Sequence, residues 1–162
     1  MQLRPLLPVL GSTVRHRPRI VAAFGLSASA LILTGAGAPG TDVRVTVTDL
    51  RSTKGLIQAC LTPNPKHFPD CKGDSKAFAL TVPAGEVVQL DFGHVPAGRY
   101  AIALLHDENG NGRADKALML PREGFGFSRD APLRMGPPTF ASAAFEVGGE
   151  PVVQKIRMRY LL

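Results

Sequence analysis

A chain of 162 residues with 44% hydrophobic residues is long enough for one domain plus a targeting segment. Its formal net charge of +6 invites a nucleic-acid partner until the charges are placed along the chain. Four of the 19 Lys and Arg (Arg4, Arg15, Arg17 and Arg19) fall in the first 38 positions, which hold no acid; the remainder is near +2, and no nucleic-acid partner is expected.

The first element is a leader. After the arginines comes Ile20–Leu33, an uncharged apolar run, and then the small residues Thr34-Gly-Ala-Gly-Ala38. A positive start, an apolar middle and a small-residue exit are the pattern of a secretory signal peptide, here residues 1–38. Cleavage is expected near residues 36–40, with Pro39 disfavouring a cut directly after Ala38. The rival is an uncleaved anchor, against which stands a run shorter than the roughly 20 apolar residues of a spanning helix. No Cys follows the run, so a lipid anchor is not indicated. The expected location is periplasmic or secreted, and the membrane is met only through the export signal. Export also bears on Cys60 and Cys71, which pair by default in an oxidising compartment. The bridge closes the proline-rich loop Leu61–Asp70. The rival, a pair of metal-binding thiolates, lacks a second Cys pair or a well-spaced His; His67 and His94 fall in other loops.

The rest reads as strands. Residues 42–50 alternate Val43, Val45 and Val47 with Arg44, Thr46 and Thr48, the period of a strand with one buried face. Residues 55–61 follow through the turn Ser52–Gly55. Residues 77–82 place Phe78, Leu80 and Val82 on one side, and residues 87–92 bury Val88, Leu90 and Phe92. Residues 99–106 are apolar on both faces, which predicts a central strand. Residues 143–147 and 152–160 complete the set, with Ile156, Met158 and Tyr160 inward. Seven short strands, Gly/Pro turns, no convincing helix and no internal repeat predict an all-β sandwich over residues 41–162. One connection, 107–140, reads as a long loop without a strand of normal length. Loops beyond ~15 residues are uncommon in compact domains and are usually functional or disordered. Phe125, Phe127 and Met135 indicate that this one packs.

That loop opens with His106-Asp-Glu-Asn-Gly-Asn-Gly-Arg-Ala-Asp115. Asp107, Asn109 and Asn111 stand at positions 1, 3 and 5, Gly112 at 6 and Asp115 at 9, the spacing of a calcium loop. Calcium is a hard cation taking six to eight oxygens; alternate side chains of a tight loop converge on one point, and the glycine bend turns the carbonyl of Arg113 toward it. Position 12 is Leu118 rather than Glu, and a strand rather than a helix enters the loop. The closer pattern is therefore the D-x-N-x-N-G-x-x-D loop of extracellular β domains, with weak affinity, on the order of 10⁻⁴–10⁻³ M. Glu123 is a further candidate ligand, while Glu108, at an even position, is expected to face solvent. The alternative is a metal-free turn, since Asn and Gly both tolerate positive φ. His106 is read as a hydrogen-bonded structural residue or a cap on the site.

The residues His106–Gly112, followed by Pro121-Arg-Glu-Gly-Phe-Gly-Phe-Ser128, resemble the bacterial secreted proteins of Domain of Unknown Function family 2141 (DUF2141). Val95–Ala101 and Leu50-Arg-Ser-x-Lys-Gly55 fit the same family, and the stretch from Cys60 to Cys71 is similar to a subgroup with a cysteine pair. The resemblance spans residues 42–160. It implies an exported sandwich of the immunoglobulin-like or transthyretin-like kind and no known activity.

Within the second motif, Gly124 and Gly126 permit backbone positions that other residues avoid. Phe125 and Phe127 either hold the loop to the sandwich or form an exposed platform for a sugar or peptide. Arg122, Arg129 and Arg134 line the same segment and suit an anionic group. The favoured function is a non-enzymatic binding or structural module of the cell envelope, with an envelope protein or glycan as partner. Its rivals are a metal-assisted hydrolase and a purely structural domain without metal. A Ser128–His106–Asp107 set lacks a nucleophile elbow, and adjacent His106 and Asp107 leave a strand on opposite faces.

Overall fold

The computed structural model describes residues 39–112, 116–117, 120–134 and 136–162. The leader 1–38 and the positions Arg113, Asp115, Leu118 and Met135 lie outside the described residues. The valine alternation of the first strand is realised in β1 (Gly40–Thr48), whose Val43, Val45 and Val47 are wholly buried. β1 is the middle of a three-stranded sheet. On one side runs β4 (Val88–Pro96), antiparallel, with a register shift between Asp42 and Arg44. On the other runs β10 (Val152–Arg157), parallel, from Val43 opposite Val152 to Thr48 opposite Arg157. The outer face of this sheet is solvated, and there Arg44 links Asp42 and Asp91 at 3.1 Å each.

The second sheet has the order β3-β2-β5-β8, built from β2 (Leu56–Thr62), β3 (Phe78–Pro83), β5 (Gly98–Asp107) and β8 (Gly124–Phe127). Ile57, Leu61, Ile102 and Leu104 face the valines of β1 and Leu90 of β4 across the core. Fully burying a side chain of this size contributes about 1.5–3 kcal/mol, so this layer dominates stability. Two further strands, β6 (Lys116–Ala117) and β7 (Leu120–Pro121), form a small hairpin, and β9 (Phe145–Val147) pairs with the start of β5. The chain is an all-β sandwich, as the alternation predicts.

β5 is buried on both faces because it has two cores to serve. Tyr100, Ile102 and Leu104 enter the sandwich, while Ala101 and Ala103 point outward under a second cluster with Phe127, Ala131 and Ala143. Small side chains are needed there because the covering segments approach closely. One cover is the cysteine loop. Cys60 and Cys71 form a disulfide with Cα atoms 5.7 Å apart, which overturns the thiolate reading. It holds Phe68 over the sheet, its ring centroid 6.0 Å from those of both Phe127 and Phe140.

The expectation of a strandless connection over 107–140 is corrected: it contains β8, which pairs antiparallel with β5 from Ala103–Phe127 to His106–Gly124. The segment after it carries a 3₁₀ turn, Ser128–Asp130, and a one-turn helix, α1 (Phe140–Ala143), whose N-cap Thr139 accepts from the Ser142 N–H. Asp130 ties this segment back through Arg157 and Arg159. β8 lacks an apolar alternation because its inward face carries no side chains at all. A Cβ on Gly124 would lie 2.3 Å from Cε1 of Tyr160, and one on Gly126 2.8 Å from Ile156 Cγ2. The C-terminal segment supplies the side chains that β8 omits. Phe125 and Arg159 exchange backbone hydrogen bonds of 2.9 and 2.8 Å, joining the two sheets along this seam.

Candidate functional site

The acidic loop hangs from the C-terminal end of β5. Alternation sends Asp107 to the outer face of its sheet, where it is wholly buried. Its carboxylate accepts from the Asn111 N–H (3.2 Å), the Gly112 N–H (2.7 Å) and Gln58 Nε2 (2.9 Å). Asn109 Oδ1 also accepts from the Asn111 N–H, at 3.0 Å. Side-chain oxygens of positions 1 and 3 therefore both accept from the Asn111 N–H. Gly110 and Gly112, with φ of 69° and 74°, take the left-handed conformations that this winding requires. The β5–β8 register, continued one residue past the His106–Gly124 pair, sets Glu123 beside Asp107. Glu123 is 4% exposed and accepts from the Glu108 N–H at 3.2 Å. Arg113 and Asp115, the remaining expected ligands, lie outside the described residues. Among the described residues, no group of three or more His, Cys, Asp or Glu could hold a metal ion. Calcium takes six to eight oxygens; the described part of the loop presents two carboxyl groups, Asp107 and Glu123, together with amide oxygens.

The opposite face of the same strand end carries a polar relay. His106 is wholly buried; its Nε2 lies 2.8 Å from the Lys54 carbonyl and its Nδ1 2.7 Å from the Tyr160 hydroxyl. The carbonyl can only accept, so Nε2 carries the proton and Tyr160 donates to Nδ1. Tyr160 in turn accepts from the Arg51 N–H at 3.1 Å, and the Arg51 guanidinium sits 4.6 Å from the centre of its ring. Both ring nitrogens of His106 are thus committed, as a structural histidine requires. The close fit depends on Gly55 (φ 76°), where a Cβ would lie 2.1 Å from the Asp107 carbonyl oxygen.

Glu108 does not face solvent as its even position suggests. Arg51 forms an ion pair with it, with Nε 2.9 Å from Oε2, and also donates to the Arg122 carbonyl at 2.8 Å. Ser52 Oγ donates to the other carboxylate oxygen at 2.7 Å. The strand ends at Asp107, so alternation no longer sets the direction of the next side chain. The Arg51 hydrogen bond, opposed by burial and helped by Ser52, holds the Glu108 carboxyl below its ordinary value. Burial pushes the Tyr160 hydroxyl upward. Asp130, pushed up by burial, is pulled down further by Arg157 and Arg159, and its pKa ends lowered.

Other expected site residues are dispersed. Phe127 is 1% exposed and belongs to the outer cluster, so it is a core residue and not part of a platform; β-pairing turns its ring onto Ala103 and Phe68. Phe125 is partly buried at the edge of that cluster, and Arg122 is exposed. Ser128 is wholly buried; its hydroxyl accepts from the Ile102 N–H (2.9 Å) and donates to the Ala143 carbonyl (2.6 Å). Ile102 is four residues along β5 from His106, roughly 13 Å at strand rise, so Ser128, His106 and Asp107 are not brought together. Arg51, Ser52, Gln58 and Tyr160 are the participants that the sequence pattern missed. Arg51 and Ser52 fall in the Leu50–Gly55 motif, which carries no sign of their partner, and Gln58 and Tyr160 reach the end of β5 only through tertiary pairing.

Nothing matches the chain among curated proteins or among solved structures. A family model does match residues 45–155, the stretch that runs from the central valine of β1 through the acidic loop to β10. The chain belongs to the family described as an uncharacterized protein conserved in bacteria, DUF2141.

Proposed function

We propose that this chain is an exported module of the bacterial cell envelope, non-enzymatic, with binding or structural duties and a weak calcium site in the loop that starts at Asp107. The observation that carries the reading is the burial of two carboxyl side chains, Asp107 at the end of β5 and Glu123 just before β8, the strand that pairs with β5. Like charges held near one another repel, and a divalent cation between them removes the repulsion. Asp107, Asn109, Asn111 and Glu123 would supply side-chain oxygens; Asp115 and the Arg113 carbonyl, the remaining expected ligands, lie outside the described residues. Export is supported by the leader pattern and by the Cys60–Cys71 disulfide. Among the described residues no helix is long and apolar enough to cross a membrane.

A second reading rests on a specific observation. The Asp107 carboxylate already accepts three hydrogen bonds from its own loop and from Gln58, so the turn can stand without metal as a structural element. Thermal unfolding separates the two. A site of ~10⁻³ M or tighter raises the midpoint in 10 mM calcium by the equivalent of roughly 1–3 kcal/mol, several degrees, relative to chelator. Asn109→Ala, at an exposed position, abolishes the rise while leaving the chelator value nearly unchanged. No rise in wild type assigns the loop to the metal-free reading.

A further inference from the structure

Away from the acidic loop, the cover over the outer core is hollowed into a groove of about 690 Å³, within the range of small-molecule sites. Its walls belong to two segments held together through Phe68 and Phe140. One is the disulfide loop, with Pro63, Pro65 and Pro69; the other is the approach to α1, with Pro137 and Pro138. Proline offers no N–H, so these walls give apolar surface with few donors. A sugar or an extended peptide would leave its hydroxyls or carbonyls unpaired against them, and such groups are expensive to desolvate. Among the described residues, one side chain in the lining is charged, Arg99, and no carboxylate lines the groove. Arg99 pairs with Glu146, 3.8 Å away, with both side chains more than half exposed. An exposed pair of that kind holds little energy, so the guanidinium can exchange Glu146 for a ligand. A second depression of about 460 Å³ adjoins across Pro137–Thr139 and carries Arg134, again without a carboxylate.

We infer that this groove binds a small amphiphilic carboxylate: an aromatic or aliphatic body lies on the proline and phenylalanine rings, and its carboxylate is held by Arg99. The charge complementarity decides the head group and the donor-poor walls decide the body. The site is remote from the metal ligands, so this inference stands or falls independently of calcium.

Titration with 2-naphthoate and its neutral isostere 2-naphthamide, read by naphthyl fluorescence and amide chemical shifts, tests it. Naphthoate should bind saturably, with a dissociation constant on the order of 10⁻⁴ M, and should shift the amides of residues 99 and 139–141. Arg99→Gln should weaken naphthoate roughly tenfold while leaving naphthamide unchanged. Pro138→Glu, which adds a repelling charge at the rim, should weaken naphthoate more than naphthamide. Dodecanoate should compete. Lack of saturation through the millimolar range, equal effects of Arg99→Gln on acid and amide, or binding confined to anionic lipid vesicles would each overturn the assignment.

Discussion

Gly124 is where a missing side chain matters most. The space its Cβ would occupy is filled by the Tyr160 ring, at 2.3 Å from Cε1 and 2.7 Å from Cζ. Tyr160 cannot yield cheaply, since its hydroxyl joins the Arg51 N–H to His106. Gly124→Ala should therefore destabilise by about 2–4 kcal/mol, combining overpacking with a strained hydrogen bond to a buried histidine. Gly148→Ala, with nothing within 4 Å of the new methyl, should be near neutral, and urea midpoints of the two variants measure the contrast. Glu108 makes a prediction in pH. Its folded pKa is lowered, mainly by Arg51, from an ordinary value of about 4.5, so the folded state binds the proton less tightly than the unfolded state. The stabilisation is complete above that ordinary value and is lost as pH falls through the lower folded one. Glu108→Gln should lower stability at neutral pH and flatten the acid limb; parallel acid limbs in wild type and variant would rule this out. The pattern D-x-N-x-N-G was legible because it is local. Glu108, Arg51 and Tyr160 were not, because no spacing in the chain records which strand end meets which.

At the scale of elements, the strands with one wet face were the readable ones. β1 alternates valine with Arg44 and Thr46 because each face meets one environment. β5 was equally clear, its continuous apolar run reflecting two cores. β8 fails the same test because its partners contribute the side chains: Gly-Phe-Gly-Phe has an inward face of hydrogen atoms, filled by Ile156 and Tyr160. α1 has four residues, too few for any helical period to register. The disulfide loop acts as a lid on the outer core rather than as a prop of the inner one. Loss of the bridge should remove roughly 2–3 kcal/mol on the chain-entropy account of an 11-residue separation. The sandwich should persist, because its inner layer of Val43, Ile57 and Ile102 forms a cluster separate from the one that Phe68 and Phe140 pack against. Cys60→Ala/Cys71→Ala should melt lower yet keep the wild-type far-ultraviolet dichroism; global unfolding of the variant would show that the lid is integral to the fold.

The described sandwich is closed by its first and last strands. β1 lies between β4 and β10, so the first and last strands are hydrogen-bonded neighbours. Met158 still bonds Thr48 of β1, and Arg159 then bonds Phe125 of β8 in the other sheet. Truncation after Arg157 should strip Tyr160 from Gly124 and Met158 from Gly126, leave His106 Nδ1 without its donor, and destabilise by several kcal/mol; amide exchange should collapse first in β8. Truncation of Leu161 and Leu162 alone, both more than 40% exposed, should be far milder.

This arrangement has a bearing on when such a polypeptide can fold. While it is still being synthesised, the three-stranded sheet lacks the edge that β10 provides. Contacts spanning nearly the full length form late. A sandwich whose opening strand waits for its closing one gains its full sheet in a single late step.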